Sequence, residues 1–166
     1  MASFVNISRT ILLGTAWTGT APGPAVATPA GTISSTSDIS PFVVGGGDPG
    51  WNANMVDTTN FGSLGYSCVI PGITTGDELV FDCNSDWAAS QLGAIVRTTL
   101  GGVARPGSSP IYVDIKPTSS SRSATNPSFV AAAYISKWSP YGGSVGARAA
   151  ASLTLTITGT FTDLTS

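Results

Sequence analysis

Apolar and polar residues alternate with a period of two along much of the chain, the pattern of strands that bury one face. The clearest run is Ser152–Phe161, where Leu153, Leu155, Ile157 and Phe161 alternate with Thr154, Thr156, Thr158 and Thr160. One face is apolar and the other is a threonine ladder, and every residue but Gly159 favours β structure. Ile111–Lys116 repeats the scheme, with Ile111, Val113 and Ile115 expected inward and Tyr112, Asp114 and Lys116 outward. Pro110 and Pro117 bracket it, because proline cannot donate to an interior ladder. Phe129–Ser136 reads as a strand after a turn at Asn126-Pro127. Leu64–Ile70 and Glu78–Cys83 flank a turn sequence at Pro71–Gly76, and Phe4–Leu13 is the expected first strand.

One segment breaks the period. Asp86–Leu100 places Ala88, Leu92, Ile95, Val96 and Thr99 at helical spacing, with Ser85 as N-cap, Arg97 near the negative end and Gly101-Gly102 as the stop. The spacing predicts one helix of about four turns packed on a sheet. Gly14–Trp51 differs again, being rich in Gly, Pro, Ala, Ser and Thr. Unstructured loops this long are uncommon in compact domains. It carries only Asp38 and Asp48 as charges, yet holds Trp17, Val26, Ile33, Phe42, Val43, Val44 and Trp51. That combination predicts an extended arm that docks on something, with Trp17, Val26, Ile33, Phe42, Val43 and Trp51 as candidate inter-subunit contacts. The fold class expected is mainly β, a sandwich or barrel-forming sheet with one flanking helix and this long loop, in a single domain over 1–166.

Composition sharpens the picture. Charged residues make up 10% of the 166, against about 25% in an ordinary soluble domain. Ser and Thr must therefore solvate much of the surface, and a weakly charged surface resists association poorly. The seven basic residues are scattered singly and the net charge is −2, which argues against gripping nucleic acid by its phosphates. Ile11-Leu12-Leu13 is too short for a signal-peptide core, and no run approaches the ~20 apolar residues of a transmembrane helix. Cys68 and Cys83 sit in apolar runs and read as reduced core thiols.

Reactive constellations are sparse. With no histidine, the usual triads and histidine-based zinc motifs are excluded, and neither a metal nor any cofactor is expected. Asp77, Glu78, Asp82 and Asp86 form one acidic cluster, for which a Ca²⁺ site or a glycosidase-like pair is the chemical reading and a solvated strand end the bland one. Gly45–Gly50 lacks the lysine of a phosphate loop and reads as a turn. Trp138, Tyr141, Trp51 and Tyr66 are candidates for a sugar-stacking platform. An enzyme is not expected.

The order of elements resembles that of the tail tube subunits of long, non-contractile phage tails. The resemblance rests on Val56-Asp57-Thr58-Thr59-Asn60-Phe61-Gly62 through Gly65-Tyr66, Ile70-Pro71-Gly72, then Glu78–Cys83 and Asp86–Leu100. It continues with Asn126-Pro127-Ser128-Phe129, Ser139-Pro140-Tyr141-Gly142-Gly143 and Leu153–Phe161, and so covers about residues 52–166. It implies a β-sandwich with one flanking helix, six-membered rings whose inner sheets join into a barrel, and stacking around a tape-measure protein beneath a tail terminator. DNA would pass down the lumen without sequence-specific binding. A long loop would reach a neighbouring ring, and the 14–51 arm is the candidate. The location implied is the virion, after assembly in the host cytoplasm. Competing readings are a capsid decoration protein, a carbohydrate-binding β-sandwich module and an enzyme with an unfamiliar carboxylate site.

Overall fold

The computed structural model describes residues 9–22, 30–58, 69–85, 88, 90–100, 109–142 and 149–165. Within them the period-two runs become strands of one antiparallel seven-stranded sheet. In chain order its strands are β1 (Thr10–Thr20), β2 (Ala30–Asp38), β3 (Val43–Gly46), β6 (Leu79–Asn84), β7 (Ile111–Lys116), β8 (Ser128–Gly142) and β9 (Ala150–Leu164). A separate ribbon pairs β4 (Trp51–Asp57) with β5 (Val69–Gly76). Across the large sheet the order is β2-β1-β7-β8-β9-β6-β3.

That order forces the sheet to curl. Edge strands β2 and β3 are consecutive in the chain and joined only by residues 39–42. Seven flat strands would hold their edges roughly 29 Å apart at ~4.8 Å per step. The connection from Asp38 to Val43 can bridge at most about 18 Å. The Asp38 end of β2 and the Val43 end of β3 therefore lie close together, and hydrogen bonds tie the residues between them to β1 and β6. Ile39 N donates to Ile11 O at 3.0 Å, and Asn84 N donates to Phe42 O at 2.8 Å. Just before β1, the Arg9 guanidinium reaches the carbonyls of Gly46 and Gly47 and the carboxylate of Asp48. The outcome is a sandwich-like roll with its apolar face inside.

The core follows the alternation. Ile11, Leu13, Leu79, Phe81, Cys83, Ile111, Val113, Ile115, Leu153 and Leu155 are all buried. Ala131 and Ala133 stand opposite Val113 and Ile111 on β8, where small side chains leave room for those branched partners. The helix that covers this core is shorter than the sequence predicts. It consists of α1 (Leu92–Ala94), continuing as a π-helical turn over Ile95–Leu100. Ser90 has φ 68, a left-handed conformation that interrupts a right-handed helix. Gln91 is extended and caps without a side-chain hydrogen bond. The predicted cap, Ser85, instead donates its hydroxyl to Pro140 O at 2.7 Å. Leu92 and Val96 still face the core and Ile95 packs against it, whereas Ala88, expected on the same face, is exposed.

Three other expectations change. Pro71–Gly76 is not the turn of a hairpin with Glu78–Cys83: it lies within β5, which pairs with β4, while β6 pairs with β9 and β3. The 14–51 segment is not an unpaired loop in its described part; it supplies the second half of β1, all of β2 and β3, and the first residue of β4. Asp114 does lie opposite the core but is 4% exposed, because other chain covers that face. Phe4–Ser8, Val26, Leu64–Cys68, Asp86 and Gly101-Gly102 are outside the described residues.

Candidate interaction surfaces

The β4–β5 ribbon is anchored at its Trp51–Gly76 end and carries exposed residues beyond it. At its base Gly76 packs beside Ile157, and Asp77 N donates to Gly50 O at 3.1 Å. The Trp51 ring stands edge-on to Phe129 and Phe161, with centroids 6.1 and 6.5 Å away. Its Nε1–H donates to Phe161 O at 3.0 Å. Beyond this base every residue of β4 is exposed. Met55, Val56, Val69 and Ile70 are each about half exposed, from 44 to 53%. Val56 pairs with Ile70 and therefore shares a face with it. Met55 and Val69 are the chain neighbours of that pair, so alternation turns them to the opposite face. The free end of the ribbon thus shows apolar side chains on both sides. A two-stranded ribbon is marginal in water on its own, and contiguous exposed apolar surface marks a site of association.

Two further exposed apolar residues, Val44 on β3 and Val80 on β6, lie on the last two strands of the large sheet, which does not include the ribbon.

The six candidate contact residues divide differently. Trp17 packs against Tyr112 with centroids 5.6 Å apart and donates Nε1–H to Ala30 O. Ile33 lies over Gly14. Phe42 and Val43 pack on the core. Only Trp51 among the described five keeps half its surface exposed, and Val26 is outside the described residues. Trp17, Ile33, Phe42 and Val43 thus make contacts within the chain, and Trp51 makes them while keeping half its surface exposed. The signal for the ribbon end was the adjacent pairs Met55-Val56 and Val69-Ile70, which break strict alternation.

The acidic cluster disperses. Glu78 accepts hydrogen bonds from Ser136 and Thr156, at 3.1 and 3.4 Å, which hold it toward β8 and β9. Asp82 faces Gly45 and is four residues away, roughly 13 Å along an extended chain. Asp77 sits beside Gly50. Among the described residues no group of three or more acidic, Cys or His side chains could hold a metal. Trp138 packs on the core, while Tyr141, three residues further along β8, is 81% exposed. Cys83 is buried, its thiol lying 3.6 Å from Phe81 O. Burial, with Asp82 adding to it, pushes the thiol up to about 12. No helix among the described residues is long and apolar enough to cross a membrane.

Comparison with known proteins places this architecture. No family model matches the sequence, and no curated protein matches it. Among solved structures, a chain of the SPP1 tail tube, determined by solid-state NMR and cryo-EM, superposes with a TM-score of 0.58 at 12% identity. That match covers 99% of this chain and 80% of the other. A chain of the anti-feeding prophage (AFP) baseplate, a six-fold symmetrised cryo-EM structure, gives a TM-score of 0.53 at 9% identity, covering 99% and 97%. The chain thus has a phage tail tube-like fold over nearly its whole length.

Proposed function

We propose that this chain is a structural subunit of a phage tail that assembles with copies of itself into stacked rings, forming a tube through which DNA leaves the virion. The observation that carries the reading is the β4–β5 ribbon, in which every residue of β4 is exposed and Met55, Val56, Val69 and Ile70 are each about half exposed. A monomer would gain nothing from keeping such a ribbon in water. Inserted against neighbouring copies, its side chains would leave water at roughly 25 cal/mol per Å² of apolar surface buried. The likeness in fold to the SPP1 tail tube and AFP baseplate chains supports the same reading.

Ribbon and receptor would occupy different places on the subunit, so the contact is heterologous, the type that closes into rings or extends into stacks. The Val44–Val80 surface is the candidate receptor. The low content of charge leaves few groups to repel a second copy or to hold DNA phosphates. Ring size, the tape-measure and terminator partners, and assembly in the host cytoplasm follow from the resemblance and belong to the same proposal.

Sedimentation velocity across concentration tests it. The wild-type chain is expected to shift to large species as concentration rises. Val56→Asp combined with Ile70→Asp places two carboxylates at the exposed ribbon end without touching the core. This variant is expected to stay a monomer with unchanged circular dichroism. If it assembles like the wild type, the ribbon is not the contact.

A further inference from the structure

The β1–β2 hairpin overhangs the sheet. Strand β1 pairs with β7 only from Thr10 to Gly14, whereas it pairs with β2 as far as Thr20. Asp38 lies in the same cross-strand row as Leu12 and Asp114. Gly31 is seven residues further along β2, roughly 23 Å away if that strand ran straight. It does not run straight. The Arg122 guanidinium donates Nη1–H to Gly31 O at 2.8 Å, while its Nη2 lies 3.6 Å from Asp114 Oδ2. The two nitrogens of one rigid fork are about 2.3 Å apart, which brings Gly31 O within about 9 Å of the Asp114 carboxylate.

Two residues make the crease. Ser35, in the middle of β2, has φ 52, a left-handed conformation uncommon for a residue with a Cβ. On β1, Gly14, the partner of Thr36, is overlain so closely that an added Cβ would stand 2.6 Å from Ser34 O and 2.7 Å from Ile33 Cγ1. The hairpin therefore folds over the face of β7 opposite the core. Trp17 rests on Tyr112, and Asp114 is covered. Beneath it lies a groove of about 690 Å³ that includes Leu12, Thr36 and Lys116. Asp114 is held in addition by the Ser128 hydroxyl, so the carboxylate belongs to the sheet and Arg122 is the link to the hairpin.

We infer that the outer part of the β1–β2 hairpin is a strap, creased at Gly14 and Ser35 and latched over β7 by Arg122, that opens as a unit without unfolding the sheet. Opening breaks the Arg122–Gly31 hydrogen bond and lifts Trp17 from Tyr112. The β1–β7 pairing from Thr10 to Gly14 and the whole core stay intact. This device does not depend on the assembly reading.

Amide hydrogen exchange on the purified full-length chain tests it. In the wild type, amides of 16–20 and 30–34 are expected to exchange at least ~10-fold faster than those of Ala131–Ala133 in the core, since sub-global opening needs less free energy than global unfolding. Arg122→Ala is expected to speed the strap amides by a further ~10-fold and leave the core amides unchanged. Gly14→Ala, which acts at the crease without touching the ion pair, is expected to speed the same set. Strap and core amides exchanging together in the wild type would overturn the inference whether or not the Arg122 variant folds. So would an Arg122→Ala or Gly14→Ala profile that changes core and strap equally.

Discussion

The indole of Trp51 donates a hydrogen bond to the carbonyl of Phe161 at 3.0 Å, joining positions 110 residues apart in the sequence. This bond and the edge-on contacts with Phe129 and Phe161 fix the direction in which the β4–β5 ribbon leaves the body. Trp51→Phe removes the donor and keeps a ring, so Phe161 O loses its partner at a cost of about 1 kcal/mol. Trp51→Ala removes the ring as well. The residue is half exposed, so a total loss of about 2 kcal/mol is expected, below the range for a fully buried tryptophan. Thermal denaturation checks both, with shifts of about 2–4 °C per kcal/mol in a chain of this size. In sedimentation, Trp51→Ala is expected to weaken association more than its loss of stability alone explains, because the ribbon is no longer aimed.

The buried thiol makes a prediction about pH. Cys83 is raised from 9.0 to about 12 by burial first and by the neighbouring Asp82 second. In the unfolded chain the thiol ionises near its ordinary value, while the folded chain keeps its proton. Between the two values the folded state binds more protons, so stability falls as pH rises. The contribution is complete below about pH 9 and is lost as pH approaches 12. Denaturant melts from pH 8 to 10.5 in a Cys68→Ser background are expected to show this decline, and Cys83→Ala is expected to flatten it. In the same background Ellman's reagent is expected to react only after denaturant is added.

The glycine triplet at 45–47 contains positions of unequal importance. Gly47 has φ 70, and a Cβ there would run into the Phe81 ring. Gly47→Ala combines a left-handed backbone with overpacking of a buried aromatic, for an expected loss of about 2–4 kcal/mol. A Cβ on Gly45 would meet Asp82 Oδ2 at an ordinary 3.6 Å, so Gly45→Ala is expected to cost less than ~1 kcal/mol. Chemical denaturation of the two variants side by side distinguishes them, and equal losses would show that the seam between β3 and β6 is not packed as described.

Ser152–Phe161 and Ile111–Lys116 were legible because each turns its apolar set to the core at a period of two, while the covering of Asp114 and Thr154 on the other face left no mark in the pattern. The helix was legible at Leu92, Ile95 and Val96 but not at Ala88 or in its length, since nothing in Ser90-Gln91 announces a left-handed residue. The 14–51 region was misread for a physical reason. Its strands lie at a sheet edge and in an overhang, where small and polar residues suffice and alternation is weak. Pairing partners were also hidden: Pro71–Gly76 has the composition of a turn, yet its partner is β4 rather than β6. Among the candidate contact residues, the aromatics Trp17, Phe42 and Trp51 all have partners within the chain, and Trp51 also stays half exposed. The far end of the ribbon is marked by plain aliphatic residues, Met55, Val56, Val69 and Ile70, whose meaning depends on knowing that they are exposed.

Self-assembly is the central claim, and electron microscopy of the purified chain in negative stain, over rising concentration and time, tests it most directly. Hollow tubes or stacks of rings are the expected result, absent from the Val56→Asp, Ile70→Asp variant. A field of uniform small particles at every concentration, with the ribbon intact and the protein folded, would contradict it.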